Sequence, residues 1–346
     1  MKPQLVDMSI GWQMVSLMNA NSEESFRGSE SVVAILDALN VFGLSTYVEW
    51  EWFITIGWNI IIFLFVYNLY KNNKGVTMFD NIFIYLNIAI LNIFCFNMSK
   101  EPGQMLFFVL MALAIILFKN YRLKRVMTYA AILATTLLLR RYYGIVMIYF
   151  GVVSFAVEAF VAKVDTRGEG GTRRLILSIL SMFIFFAFCQ YILLSVVSVV
   201  DVVTYNEMIS VNNRVGADAV SEIAPIFGTT NRALFTVDYF IKIFRLMFPV
   251  ELLLKGKITY LFIIAYHAMF FSYIFRALRD INTICDIKKC ALHLYIAFWL
   301  CSASFEPDFG SWIRHEGVAF PVIILLLYTN NQNIKTNEKV KGALLR

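Results

Sequence analysis

FEPDFGSWIRHEGVAFPVIILLLY, residues 305–328, changes character halfway along its length. Glu306, Asp308, Arg314, His315 and Glu316 fall within its first half, and an apolar run broken only by Pro321 follows. Charge this dense beside a run able to enter a bilayer marks a membrane boundary and a candidate site. Two other boundary clusters, SKEPGQ at 99–104 and LLLRRYYG at 137–144, gain meaning if they lie on the same side of the membrane.

Composition places the chain in a bilayer. Of its 346 residues 59% are hydrophobic and 16% charged, with a mean hydropathy of +0.68. A soluble core of this size could not hide so much apolar surface. Lipid offers no hydrogen bonds, so the spanning units must be helices or a closed barrel, and the long apolar runs lack the alternation of barrel strands. The expected fold is all-α, a polytopic integral membrane protein. Cys95, Cys189, Cys285, Cys290 and Cys301 show no paired spacing, which points to packing rather than to disulfides or zinc. No His and carboxylate spacing suits a metal, and no cofactor is expected. The pI near 9.0 follows from the basic loops that insertion requires, so nucleic acid is excluded as a partner.

Apolar segments at 52–70, 79–97, 104–118, 126–139, 143–162, 175–200, 258–275, 291–305 and 318–329 predict about nine transmembrane helices, the shorter ones tilted or partly buried. Residues 1–49 are expected to form an external N-terminal arm, with an interfacial helix at 31–42 that sets Val32, Ile35, Leu36, Leu39 and Phe42 on one face. Six spans over 50–200 make a first helical bundle, 201–257 an external loop, 258–329 the last three spans, and 330–346 a cytoplasmic tail. Within the loop, 235–248 is amphipathic and aromatic-rich, as expected of a lid or re-entrant helix against the membrane. With the tail inside, alternate loops gather 18 of the 30 basic residues on the cytoplasmic side and leave 17 of the 24 acidic residues outside, as the positive-inside rule requires. The clusters at 99–104, 140–143 and 306–316 then share the outer face with the long loop.

Arg140 and Arg141 close an apolar span. Snorkelling to headgroups is the plain explanation; but a cation at membrane depth costs about 2.5–3.5 kcal/mol at the helix centre, and a guanidinium fork grips phosphate in two places. Lys100 and Glu101 open the next span with Pro102 in its first turn. Glu101 serves there either as an acid against the helix dipole or as a base or a partner for an arginine. In the last cluster Pro307 and Gly310 allow a solvated turn. Alternatively Asp308 or His315 acts as a base while Arg314 neutralises a departing phosphate. Arg214, Arg232, Lys242 and Arg245 belong to the external loop, whose Asn206, Asn212, Asn213, Asn231, Thr229 and Thr230 are candidates for a carbohydrate groove. His267 and His293 lie within spans, where packed polar residues outnumber ligands.

The order of these features is an SKEPGQ turn, an RRYY pair, a long external loop and an EPDFGSWIRHE turn before the final span. It resembles bacterial polysaccharide repeat-unit polymerases of the Wzy type, which make O-antigen and capsule. The resemblance runs from about Ser45 onward. It departs from the family in showing fewer than the usual ten or more spans and no N-terminal span. It implies glycosyl transfer between undecaprenyl-diphosphate-linked oligosaccharides on the external face of the plasma membrane, without metal or nucleotide. It also implies membrane lipid as the surroundings, and a chain-length regulator and a flippase as partners. By position Arg140, Arg141 and Arg314 match the family's outward-facing basic residues. A flippase for the same lipid, or a membrane acyltransferase or glycosyltransferase of another lineage, are the alternatives.

Overall fold

A computed structural model of the chain describes residues 40–73, 75–96, 100–138, 143–164, 170–196, 223, 225–227, 231–256, 258–306 and 308–329. It is 83% helix and has no strands among the described residues. The helices are α1 (Tyr47–Asn72), α2 (Met78–Phe94), α3 (Lys100–Leu117), α4 (Tyr121–Leu138), α5 (Tyr143–Ala156, ending in a π-turn at Val157–Val161), α6 (Gly171–Val196), α7 (Arg232–Met247), α8 (Val250–Leu254), α9 (Ile258–Arg279), α10 (Asp286–Phe305), α11 (Phe309–Val318) and α12 (Phe320–Ile323, ending in a 3-10 turn at Ile324–Leu327). The interfacial helix, the start of the long loop and the tail fall outside the described residues, as do Arg140, Arg141 and Arg214.

Helix occupies the greater part of each apolar segment of the sequence. Among the described residues, four helices can cross a membrane by length and composition: Val48–Asn72, Tyr143–Val161, Gly171–Ile192 and Tyr260–Arg279. A fifth is added if Phe309–Val318 and Phe320–Leu327, bent by 61°, are one broken span. Local signals explain where the helices begin. Thr46 and Glu49 form a capping box at α1, Thr77 and Asp80 another at α2, and Asn231 caps α7 by accepting from Ala233 N. Apolar side chains such as Trp52, Ile56, Phe63, Leu137 and Ile184 stay exposed on the outer helices, which is the expected surface of a protein solvated by lipid.

Two elements run through the middle. Every residue of α10 from 290 to 304 is buried, and α5, α7, α12 and α3 all pack on it. From His315 to Tyr328 every residue is buried as well, so the opening stretch lies inside the bundle rather than at its edge. Here the structure corrects the expected turn before a span at 318–329: helix already begins at Phe309. Asp308 starts it by accepting from Ser311 N at 2.8 Å. The break at Ala319 comes from Pro321, which lacks an N–H and crowds the carbonyl four residues back.

The ends of the elements sort to two sides. Asn73 Nδ2 donates to Leu327 O (2.6 Å), Tyr328 Oη to Asn68 Oδ1 (2.9 Å) and Tyr273 Oη to Asp80 Oδ1 (2.5 Å). The end of α1, the start of α2, the end of α9 and the end of the final segment therefore meet. At the other side the end of α2 touches α11, where Cys95 Sγ donates to Arg314 O at 3.4 Å. The amphipathic stretch of the long loop is α7. It turns Tyr239, Ile243 and Leu246 inward against α6 and α10 and is stitched to the preceding segment by Asp238, which accepts from Ile226 N (2.9 Å) and Phe227 N (3.0 Å).

Candidate functional site

Arg314, His315 and Glu316 are consecutive on α11, so their side chains leave the helix about 100° apart. Each reaches a different neighbour, and the site is organised by that divergence.

His315 faces Glu306, the residue that ends α10. Their side chains touch, Nδ1 to Oε1, and both are buried, at 7% and 4% exposure. A carboxylate on Nδ1 fixes the imidazole's orientation and favours the tautomer that leaves Nε2 as the proton-accepting nitrogen. Lys242 of α7 joins this group. The hydroxyl of Tyr239 donates to Leu300 O at 2.6 Å, pinning α7 along α10, and Lys242 follows one turn later toward the end where Glu306 lies. Burial among its neighbours pushes the half-buried Lys242 ammonium down to about 8, Glu306 and Asp308 hold it up, and Arg245 pushes it lower. Arg245 itself is ion-paired with Glu251 of α8, which ties α7 and α8 together. Asp308 contributes charge to the group while its Oδ1 caps α11.

Arg314 leaves α11 toward α2 and α3. The Cys95 thiol lies in the fields of both Glu101 and Arg314, so the carboxylate that opens α3 and the arginine of α11 converge there. Glu101 is only 3% exposed. A solvated helix-start acid would not be so buried; this one is positioned within the protein.

Glu316 points deepest. Tyr295 Oη donates to its Oε1 at 2.6 Å, and its Oε2 stands 3.6 Å from His267 Nε2, beyond hydrogen-bond range. Both of those atoms are buried and have no hydrogen-bond partner among the described residues. Tyr266 lies beside the pair and donates to Asn87 Oδ1 at 3.0 Å.

The structure thus groups His315 and Asp308 with Glu306 and Lys242, holds Arg245 against Glu251 beside Lys242 on α7, and brings Glu101 and Arg314 together separately. Lys100 and Arg232 begin α3 and α7, and their side chains lie outside the described set. Four residues belong here that sequence reasoning named but gave no role in the chemistry: Glu306, Lys242, Glu316 and His267. Lys242 did carry a signal, since it interrupts an apolar stripe of Phe235, Tyr239 and Leu246 at helical spacing. His267 carried another, because ionisable residues within apolar segments are rare unless they have work or partners. Among the described residues no group of three or more His, Cys, Asp or Glu could hold a metal ion. Compared with protein-family models, curated proteins and solved structures, the chain finds no match.

Proposed function

We propose that this chain polymerises undecaprenyl-diphosphate-linked oligosaccharide repeat units into O-antigen or capsular polysaccharide at the external face of a bacterial plasma membrane. The observation that carries the proposal is the buried His315–Glu306 pair beneath the Lys242 cation. Glycosyl transfer from a lipid diphosphate needs a base for the acceptor hydroxyl and positive charge for the leaving group. His315 Nε2 takes the hydroxyl proton while Glu306 stabilises the imidazolium. The acceptor oxygen bonds to the anomeric carbon as the bond from that carbon to the diphosphate breaks, and Lys242 receives the diphosphate; Arg314, turned to the other side of α11, is a candidate for the lipid-phosphate path. Arg140, Arg141, Arg214 and Arg232 are further candidates for the lipid-phosphate path.

A nine-pass arrangement with a cytoplasmic C-terminus suits the reading. What supports it is that Asp80, Arg276 and Tyr328 gather where the ends of α1, α2 and α9 meet, while Arg314 and Glu101 gather at the end of α2, each group drawn from segments that the charge count assigns to one side. The second reading, transport of the same lipid, is favoured by one feature: the deep Glu316–His267 pair, since ionisable residues at depth mark transport paths.

The test is extension of lipid-linked repeats by purified protein without metal or nucleotide sugar. Glu306→Gln and His315→Asn are each expected to lower extension by about 10²–10⁴-fold while the protein stays inserted. A deletion strain should carry single exported repeat units. Repeat units trapped on the cytoplasmic leaflet would establish transport instead, and full-length polymer lacking an acyl group would establish acyl transfer.

A further inference from the structure

At the opposite side of the bundle from the candidate site, two cations converge on one ring. Tyr121 opens α4 and is held by α10, its hydroxyl 3.4 Å from His293 Nδ1, which also lies 3.1 Å from Ser154 Oγ. Arg125, one turn further along α4, places its guanidinium carbon 5.9 Å from the centre of the Tyr121 ring. Lys289, one turn before His293 on α10, places its ammonium 5.6 Å from the same centre. The geometry follows from the helical repeat, because residues four apart share a face.

Each cation gains a little from the ring, but the two repel each other, and among the described residues neither is neutralised. The Asp286 and Glu158 carboxylates act on Tyr121 from a distance, yet among the described residues neither closes an ion pair with Arg125 or Lys289. Lys124, the neighbouring cation, is committed elsewhere, donating to Ile115 O at 2.6 Å. Among the described residues Arg125 Nε is buried with no acceptor, and a buried donor left unmade is costly. The arrangement lacks an anion with several acceptor oxygens. Beside it, Leu123 and Val126 of the same helix and Leu117 of α3 are exposed apolar side chains, a surface suited to acyl chains and not to water.

We infer that Arg125 and Lys289, flanking Tyr121, bind the phosphate of an anionic phospholipid whose chains lie along Leu117, Leu123 and Val126. The phosphodiester oxygens accept from Arg125 and Lys289 and neutralise both, and the site is independent of the reaction proposed above. Phosphate also exists free in solution, and the apolar flank is what selects the lipid.

Lipid retention by the purified full-length protein tests this. Detergent-solubilised protein is equilibrated with equal phosphatidylglycerol and phosphatidylcholine, and the lipids retained are counted by native mass spectrometry. Wild type should prefer phosphatidylglycerol, with a loss of about fivefold for each cation removed, the worth of one basic side chain near an anionic membrane surface. Arg125→Gln with Lys289→Gln should therefore approach equal retention. Because that variant alters two helices, the Lys289→Gln single variant and wild type at high salt supply independent readings, each expected to weaken the preference partially. Equal retention of the two lipids by wild type, or an unchanged preference in the double variant, overturns the proposal. So does displacement of phosphatidylglycerol by millimolar inorganic phosphate, which would identify a site for soluble phosphate.

Discussion

Gly317 sits where α11 presses on the end of α2, and adding one methyl group there tests whether that contact positions the site. A Cβ at this position would stand 3.0 Å from Cys95 Sγ and 3.3 Å from Ile90 Cγ2, against about 3.5–4.0 Å for an unstrained contact. The gap must open by roughly half an ångström or more. Cys95 is 1% exposed, so it has little room to retreat. Overpacking of this kind costs about 1–3 kcal/mol, and alanine's better helix propensity returns close to 1 kcal/mol. Gly317→Ala should therefore destabilise by about 1 kcal/mol net. The same displacement carries Arg314 and His315 with it, and a misplacement of about 1 Å at a reacting group can cost 10²-fold in rate, so turnover should suffer more than stability. Cys95→Ala removes the nearer obstacle, and the double variant should recover most of both losses. Thermal unfolding and repeat-unit extension for the two singles and the double complete the cycle. Wild-type behaviour of Gly317→Ala, or strictly additive effects in the double variant, would refute the argument.

Three other outcomes follow from the geometry. Lys242 is held near 8 in the folded protein against an ordinary 10.5, so its cation is lost as pH rises through about 8. Extension should decline across that pH, and Lys242→Arg should carry activity to higher pH. From this group alone, fold stability should rise between 8 and 10.5, where the unfolded chain still holds the proton, which separates loss of function from loss of fold. Tyr295→Phe leaves Glu316 Oε1 without its donor in a buried setting and should destabilise by about 1–3 kcal/mol in a thermal scan; no change in melting would mean that the carboxyl finds another donor. Reporter fusions at Gly168, Val215 and Lys341 should report inside, outside and inside, and a cytoplasmic Val215 would break the single outer-face site.

Helical content was legible in the sequence because apolar runs of this length admit little else in lipid. Capping boxes at Thr46 and Thr77 could have moved two boundaries outward, from 52 to Tyr47 and from 79 to Met78. What composition hid was α11. Hydropathy reads Arg314, His315 and Glu316 as solvated, whereas each is turned toward a separate buried neighbour. His315, Asp308, Arg314 and Glu101 could be named because they cluster in the sequence or begin a span. Lys242 near Glu306, and Glu316 near His267, are brought together only by packing between helices far apart in the chain. Local periodicity carries no record of such pairings, though the lone lysine on the inner face of α7 hinted at one.

The centrality of α10 bears on how the protein is made. It is buried throughout its apolar length, yet it is not among the helices apolar enough to cross a membrane by composition, and it opens with Lys288 and Lys289 beside His293. Insertion machinery sorts segments by apolarity as they emerge, so α10 on its own is a weak substrate. Its stable place depends on α5, which precedes it, and on α12, which is synthesised after it. Chains halted just after Phe305 should hold this helix loosely, extractable by alkaline wash, and should secure it once Tyr328 has been added. Membrane integration and tertiary assembly are then a single event for this part of the molecule, and substitutions that loosen the packing around α10 would surface first as low abundance.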